Sequence, residues 1–180
     1  MLLSKADGEL FFEIWFQLLG FAKREFKMKL TEAQLTVNTP EYQRALSGIA
    51  DKVWDHPDLL DKFLFRTKLT AEKREILLGW KRFVKDTFFV RSHLKSGTIL
   101  ISLTDQKVYS VHGITSTWEE MIPSATLPML IETTLIPFKG IIVSDGLIKQ
   151  YDQSVGISFE NKFEPLYIQA KESNSIITSI

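Results

Sequence analysis

Three histidines, His56, His93 and His112, carry the imidazoles that could bind a metal or move a proton near neutral pH. Their spacing offers neither chemistry a ready site, because metal-binding histidines usually lie within a few residues of another ligand. His56 stands before Pro57 and reads as a helix-start residue. His93 and His112 fall in two predicted strands, where pairing could bring them onto neighbours. The acidic pair Glu119-Glu120 sits on one predicted helical turn, with side chains about 100° apart, so the two cannot face each other as an acid/base couple. Near a helix start they complement the dipole instead. The chain has no cysteine, which excludes thiolate nucleophiles, cysteine zinc and iron–sulfur sites, and disulfides. It also has no Gly-x-Ser-x-Gly elbow, phosphate-cradling glycine loop or dinucleotide fingerprint.

Charge is more informative. Formal net charge is zero, yet residues 66–95 hold nine basic against three acidic groups, while residues 96–180 hold five against nine. Within the basic third, a helix predicted from Thr70-Ala71-Glu72 to about Lys85 places Ile76, Leu77, Trp80, Phe83 and Val84 on an arc about 120° wide. Lys81 and Lys85 fall within about 20° of Arg74 on the opposite side. Arg74, Lys81 and Lys85 thus form a basic stripe, which reads either as a solvated face or as a contact for an anion or nucleic acid. A neutral chain has little long-range attraction for nucleic acid, which makes that partner the less expected one.

The elements that would hold these residues change character near Thr87. Asp7 is positioned to cap a helix running to about Met28. Thr39-Pro40-Glu41 supplies a capping hydroxyl, a first-turn proline and an acid at the positive dipole end. His56-Pro57-Asp58 repeats that signal for a shorter helix. From Thr87 the apolar period falls from 3.6 to 2, predicting strands at 88–94, 98–103, 108–111 and 129–137. A single helical turn is expected at 116–121, capped by Ser116 or Thr117. Lys139-Gly140 and Asp145-Gly146 are turn dipeptides on either side of Ile141-Ile142-Val143. A further strand is expected at 157–159 and a closing helix at 165–173. The reading is one α+β domain over residues 1–180, with N-terminal helices (about 8–86) packed on a C-terminal antiparallel β-meander or partly closed barrel (about 87–180) and a short C-terminal helix. An internal seam is expected near 68–70. Lys139 and Asp145 would stand at a rim, and with His93, His112 and Glu132 they are the residues a pocket could gather.

Thirteen phenylalanines and four tryptophans supply an ample core. The longest apolar run, Leu10 to Phe21, is broken by Glu13 and Gln17 and falls short of the roughly 20 residues of a membrane span. The opening residues lack the pattern of a secretory leader, and a cysteine-free chain fits the cytoplasm.

Trp80-Lys81-Arg82-Phe83-Val84 with Phe88-Phe89, Leu127-Pro128-Met129 with Glu132-Thr133, the run Leu135 to Ile142, Asp145-Gly146-Leu147 and the ending Ala170-Lys171-Glu172 with Ile176-Ile177-Thr178-Ser179 together resemble a family of uncharacterised bacterial proteins. The resemblance spans about residues 76–180. It implies an intact fold and carries no activity, cofactor or catalytic residue with it. Three functional classes therefore stand. The leading one is a non-catalytic protein–protein or regulatory module, with a protein partner and without a cofactor. A nucleic-acid or anion binder using the stripe and an enzyme with a dispersed site are the alternatives. A homo-oligomer is compatible with each.

Overall fold

The computed structural model describes residues 2–37, 39–151 and 156–180. By internal contacts the chain divides into two compact units, Glu9–Lys81 and Met1–Gly8 with Arg82–Ile180. The division falls at Lys81/Arg82 rather than near 68–70, because the last helix before it packs with those ahead of it.

The first unit is helical: most of α1 (Lys5–Glu25), then α2 (Glu32–Leu35), α3 (Pro40–Asp55), α4 (Asp58–Arg66) and α5 (Ala71–Trp80). Capping decides where several of these begin. The hydroxyls of Thr31, Thr39 and Thr70 accept from the backbone N–H groups of Gln34, Tyr42 and Lys73, satisfying donors the helices leave unpaired. At α1 the capping residue is Ser4, not Asp7. Its Oγ accepts from the Asp7 N–H at 3.1 Å and donates to the Asp7 carboxylate at 2.7 Å, so the helix starts a turn earlier than expected. The core of this unit is aromatic. Trp15 stacks on Trp54 with centroids 5.4 Å apart, and Trp80 meets the Trp15 and Phe11 rings at 5.9 and 5.6 Å. Helix α5 ends at Trp80, five residues short of expectation. Lys85 therefore lies on a strand.

The second unit is a curled half-barrel. Its strands are β1 (Val84–Leu94), β2 (Gly97–Ser102), β3 (Val108–Val111), β4 (Met129–Phe138), β5 (Ile141–Ser144) and the short β6 (Lys149–Gln150). The order is β3-β2-β1-β4-β5, every ladder is antiparallel, and β6 pairs with β4. Helix α6 (Trp118–Met121) is capped by Thr117, and α7 (Ile157–Glu172) closes the unit.

Alternation sorts the strands into two faces. Phe88, Val90, Leu100, Tyr109, Ile131, Leu135 and Ile142 form one core with Trp118 and Ile122. Phe89, Ile99, Ile101 and Val108 face the other way and pack on Phe163, Tyr167 and Ala170 of α7. The free edge of β3 is covered. The His112 N–H donates to the Ile142 carbonyl at 2.9 Å, and Ile177 exchanges bonds with Val108 and Ser110 at 2.8 and 2.9 Å. Such cover removes an unpaired edge on which another strand could add.

Two expectations are corrected in this unit. Residues 157–159 begin α7 rather than forming a strand, and the closing helix starts at Ile157 rather than Pro165. Phe159, Phe163, Tyr167 and Ala170 recur at helical spacing, and their burial against the sheet outweighs the proline in mid-helix. Within β4, Pro137 pairs with Ile142. Pairing of β4 with β1 stops at Leu135, so at Pro137 the missing N–H falls where β4 has β5 alone beside it. No helix among the described residues is long and apolar enough to cross a membrane.

Candidate functional site

The site is built on an irregularity in β1. Val90 pairs with Leu100 and Ser92 with Ile99, leaving Arg91 as the extra residue of a β-bulge. Alternation from Phe89 puts Arg91 on the face of β1 that α7 covers. There the guanidinium makes a two-pronged pair with Glu164, Nε to Oε2 at 2.7 Å and Nη2 to Oε1 at 2.5 Å. Its third nitrogen donates to the Ser92 hydroxyl at 2.9 Å, and its carbon lies 3.8 Å from the centre of the Tyr167 ring. Fork geometry and ring stacking both suit arginine and neither suits lysine. The Arg91 bond holds the Glu164 carboxyl below its ordinary range, and Glu164 in turn raises the arginine.

Beside this clamp opens a cleft of about 340 Å³ lined by Phe89, Arg91, Pro128, Glu160, Asn161 and Glu164. Phe89 is held by the sheet and Pro128 follows a cis peptide bond at the entry to β4, giving the cleft two apolar surfaces. Glu160, Asn161 and Glu164 come from consecutive turns of α7. The volume is at the small end of the range for ligand pockets, enough for a side chain or two of a bound segment.

The residues singled out from sequence lie elsewhere. His93 is fully bonded: Nε2 sits 2.8 Å from the Ile122 carbonyl, which can only accept, and in the neutral ring Nδ1 then accepts from the Thr98 hydroxyl at 2.8 Å. His112 is half-buried, and burial pushes its imidazole below the ordinary value. Its carbonyl accepts from the Trp118 indole at 3.1 Å. Glu132 accepts from Lys149 at 3.0 Å and from the Tyr151 hydroxyl at 3.1 Å. Lys139 donates to Asp7 at 2.6 Å and lies 5.9 Å from the Phe138 ring centre. Asp145 is buried and accepts from the Leu147 N–H at 3.0 Å, shaping its own turn. None of these five lines the cleft.

The basic stripe is divided. The Arg74 guanidinium donates to the Leu64 carbonyl at 3.0 Å, and Lys81 pairs with Asp61 at 2.8 Å, both within the helical unit. Lys85 belongs to β1 in the other unit.

A second polar cluster stands at the β2–β3 end of the half-barrel. Asp86 accepts from the Ser102 hydroxyl and, at 2.8 Å, from Thr104, while Tyr109 donates to Asp105 at 3.0 Å. Burial pushes the Tyr109 phenol well above its ordinary value. Ser102 is fully buried, so the arrangement stitches a hairpin rather than offering a nucleophile. Among the described residues no cluster of three metal-ligating side chains occurs.

The clamp escaped sequence reading because Arg91 and Glu164 lie seventy-three residues apart. The available signal was the spacing Glu160, Glu164 with Phe159, Phe163 and Tyr167, one helix with an acidic edge beside an aromatic stripe; Pro165 obscured it.

No protein-family model, no curated protein and no solved structure matches this chain.

Proposed function

We propose that the chain is a non-catalytic interaction module that holds a segment of a partner protein in the cleft between β1 and α7. The observation that carries this reading is the seating of Arg91. A bulge, a two-pronged carboxylate, a serine hydroxyl and an aromatic ring fix the guanidinium at the wall of an open cleft. A side chain already fixed loses little freedom when a ligand arrives, and arginine beside aromatic rings is what protein-binding surfaces favour. His93 and Asp145, around which an enzyme would be built, serve the half-barrel's own hydrogen bonds. Nucleic-acid binding loses support, since Arg74 and Lys81 already have partners and Lys85 is on a different element. A cytoplasmic setting fits a chain without cysteine.

Selection of a random linear peptide library against the protein tests the reading. The expected result is a set of peptides sharing a motif, whose binding is lost in Asn161→Trp, which fills the cleft, and kept in Glu172→Trp at the far end of α7. Thermal melts of both variants should match the parent. Peptides that bind Asn161→Trp as well as the parent, or a selection that yields none, would overturn it.

A further inference from the structure

Resting on the reading of the cleft as a protein-binding site, we infer that it takes a basic side chain, lysine or arginine, presented by the partner. Three features of the lining converge on this. The first is charge. Glu160 and Glu164 are four residues apart on α7, so their carboxylates share one face of the helix, where like charges repel. Arg91, the one cation among the described residues of the lining, gives its fork to Glu164, while Glu160 has no partner among the described residues. One negative charge of the cleft is left uncompensated.

The second feature is a freed acceptor. Pro165 lies within α7 and has no N–H to give its acceptor four residues back, which is the carbonyl of Asn161. The residue whose carbonyl loses its helical donor is itself part of the cleft lining. A cleft with a free carboxylate and an under-bonded carbonyl calls for a ligand group that is positive and only donates. Ammonium and guanidinium both meet that description.

The third is the apolar part. Pro128, beside the nearly fully buried Phe89, offers hydrocarbon surface in the same cleft, on which the methylene stem of lysine or arginine can lie while its head reaches Glu160. An acidic side chain would meet Glu160 with like charge. An aliphatic one would cover the carboxylate and carbonyl without bonding either, leaving them unsatisfied.

The test is an NMR titration of the whole chain with four capped amino acids: the N-acetyl amides of arginine, lysine, norleucine and glutamate. Resonances of the Asn161 side-chain amide and the Arg91 Nε–H report on the cleft. The expected result is saturable shifts at both with arginine and lysine, about fivefold weaker in Glu160→Gln and unchanged in Glu172→Gln. Equal shifts with norleucine or glutamate, or arginine binding that ignores Glu160→Gln, would overturn the basic class while leaving a binding cleft in place. Absence of any shift at the cleft with arginine and lysine would also overturn it. Peptides selected on the cleft would then still decide the broader reading, since they report binding whatever side chain is bound.

Discussion

Arg91 and Glu164 meet through two parallel hydrogen bonds, at 2.7 and 2.5 Å, with the arginine face 3.8 Å from the Tyr167 ring. This pair ties α7 to the bulge of β1, and its coupling is measurable. A double-mutant cycle over Arg91→Met and Glu164→Gln should return about 1 kcal/mol, above the usual yield of exposed pairs because the geometry is two-pronged. Glu164 is depressed in the folded state by its bond to Arg91, so its contribution is fully present above the ordinary glutamate value of 4.5 and is lost as pH falls through the lower folded value. The parent and Glu164→Gln should therefore converge in urea stability as pH drops below 4.5, and stay apart near neutrality. Parallel curves across that window would show that the pair contributes nothing.

Local chemistry that a few residues settle by themselves was legible in the sequence. Thr39-Pro40-Glu41 starts α3 as the hydroxyl and the proline require. Lys139-Gly140 turns with φ of 49° and 85°, a reversal for which glycine is suited and lysine is tolerated. The α+β class followed from the change of period near Thr87, although β1 itself begins at Val84. What was not legible depended on distant partners. Helix α7 runs through Pro165 because Phe163 and Tyr167 find Phe89 and Ile99 across the sheet, and no local signal announces that surface. The bulge at Arg91 is invisible in the run Val90-Arg91-Ser92, since it exists only in register with β2. The expected stripe failed for a similar reason. Angles on an ideal helix placed Lys85 beside Arg74, but the chain left the helix at Trp80.

Trp80 is fully buried against Phe11 and Trp15, and its indole N–H has no hydrogen-bond partner among the described residues. Trp80→Ala should cost about 3–5 kcal/mol, through lost burial and the cavity left behind. Trp80→Phe should cost much less, because it keeps most of the apolar volume and removes a donor that gains nothing from burial. Chemical denaturation separates the two. Equal losses would mean that the indole nitrogen has a partner worth keeping.

Two glycines should respond in opposite directions. Gly48, in the middle of α3, has open space where a Cβ would go, so Gly48→Ala should stabilise by about 0.5–1 kcal/mol. Gly97 opens β2 at φ +143°, and a Cβ there would stand 2.5 Å from the Ser110 hydroxyl oxygen and 3.1 Å from the Val111 carbonyl oxygen. Gly97→Ala should destabilise by more than 2 kcal/mol, roughly the cost of strain plus a displaced strand partner. Thermal melts of the two variants should fall on either side of the parent, and a Gly97→Ala protein as stable as the parent would mean that the β2–β3 ladder yields easily.

His112 is depressed by burial, so the unfolded chain binds its proton more readily than the folded one. The stability it allows is complete above the ordinary histidine value of 6.5 and declines as pH falls from there through the lower folded value. His112→Gln should lack that part of the slope, so the ratio of its stability to the parent's should rise between neutrality and mild acid. Urea midpoints across that range would show it. Identical slopes would show that His112 contributes nothing to the pH response.

Binding to nucleic acid should be absent, and the stripe of Arg74, Lys81 and Lys85 is the place to test it. Contact with phosphates makes affinity fall with salt, at a log–log slope near −0.9 per contact on duplex DNA. Changing all three residues to glutamine would then flatten the slope by roughly two or three units. Arg74 and Lys81 are already bonded to Leu64 and Asp61, and Lys85 stands on β1, so the three do not present the continuous face that an ideal helix would give them. With a formal net charge of zero the chain also has little long-range attraction for a polyanion. The expected outcome is no salt-sensitive binding to duplex or single strands at micromolar protein and low salt, for parent and triple variant alike. Clear binding by the parent that the triple variant abolishes would move nucleic acid ahead of a protein partner, and would show that the ion pair at Lys81 and the bond at Arg74 open at modest cost when phosphates arrive.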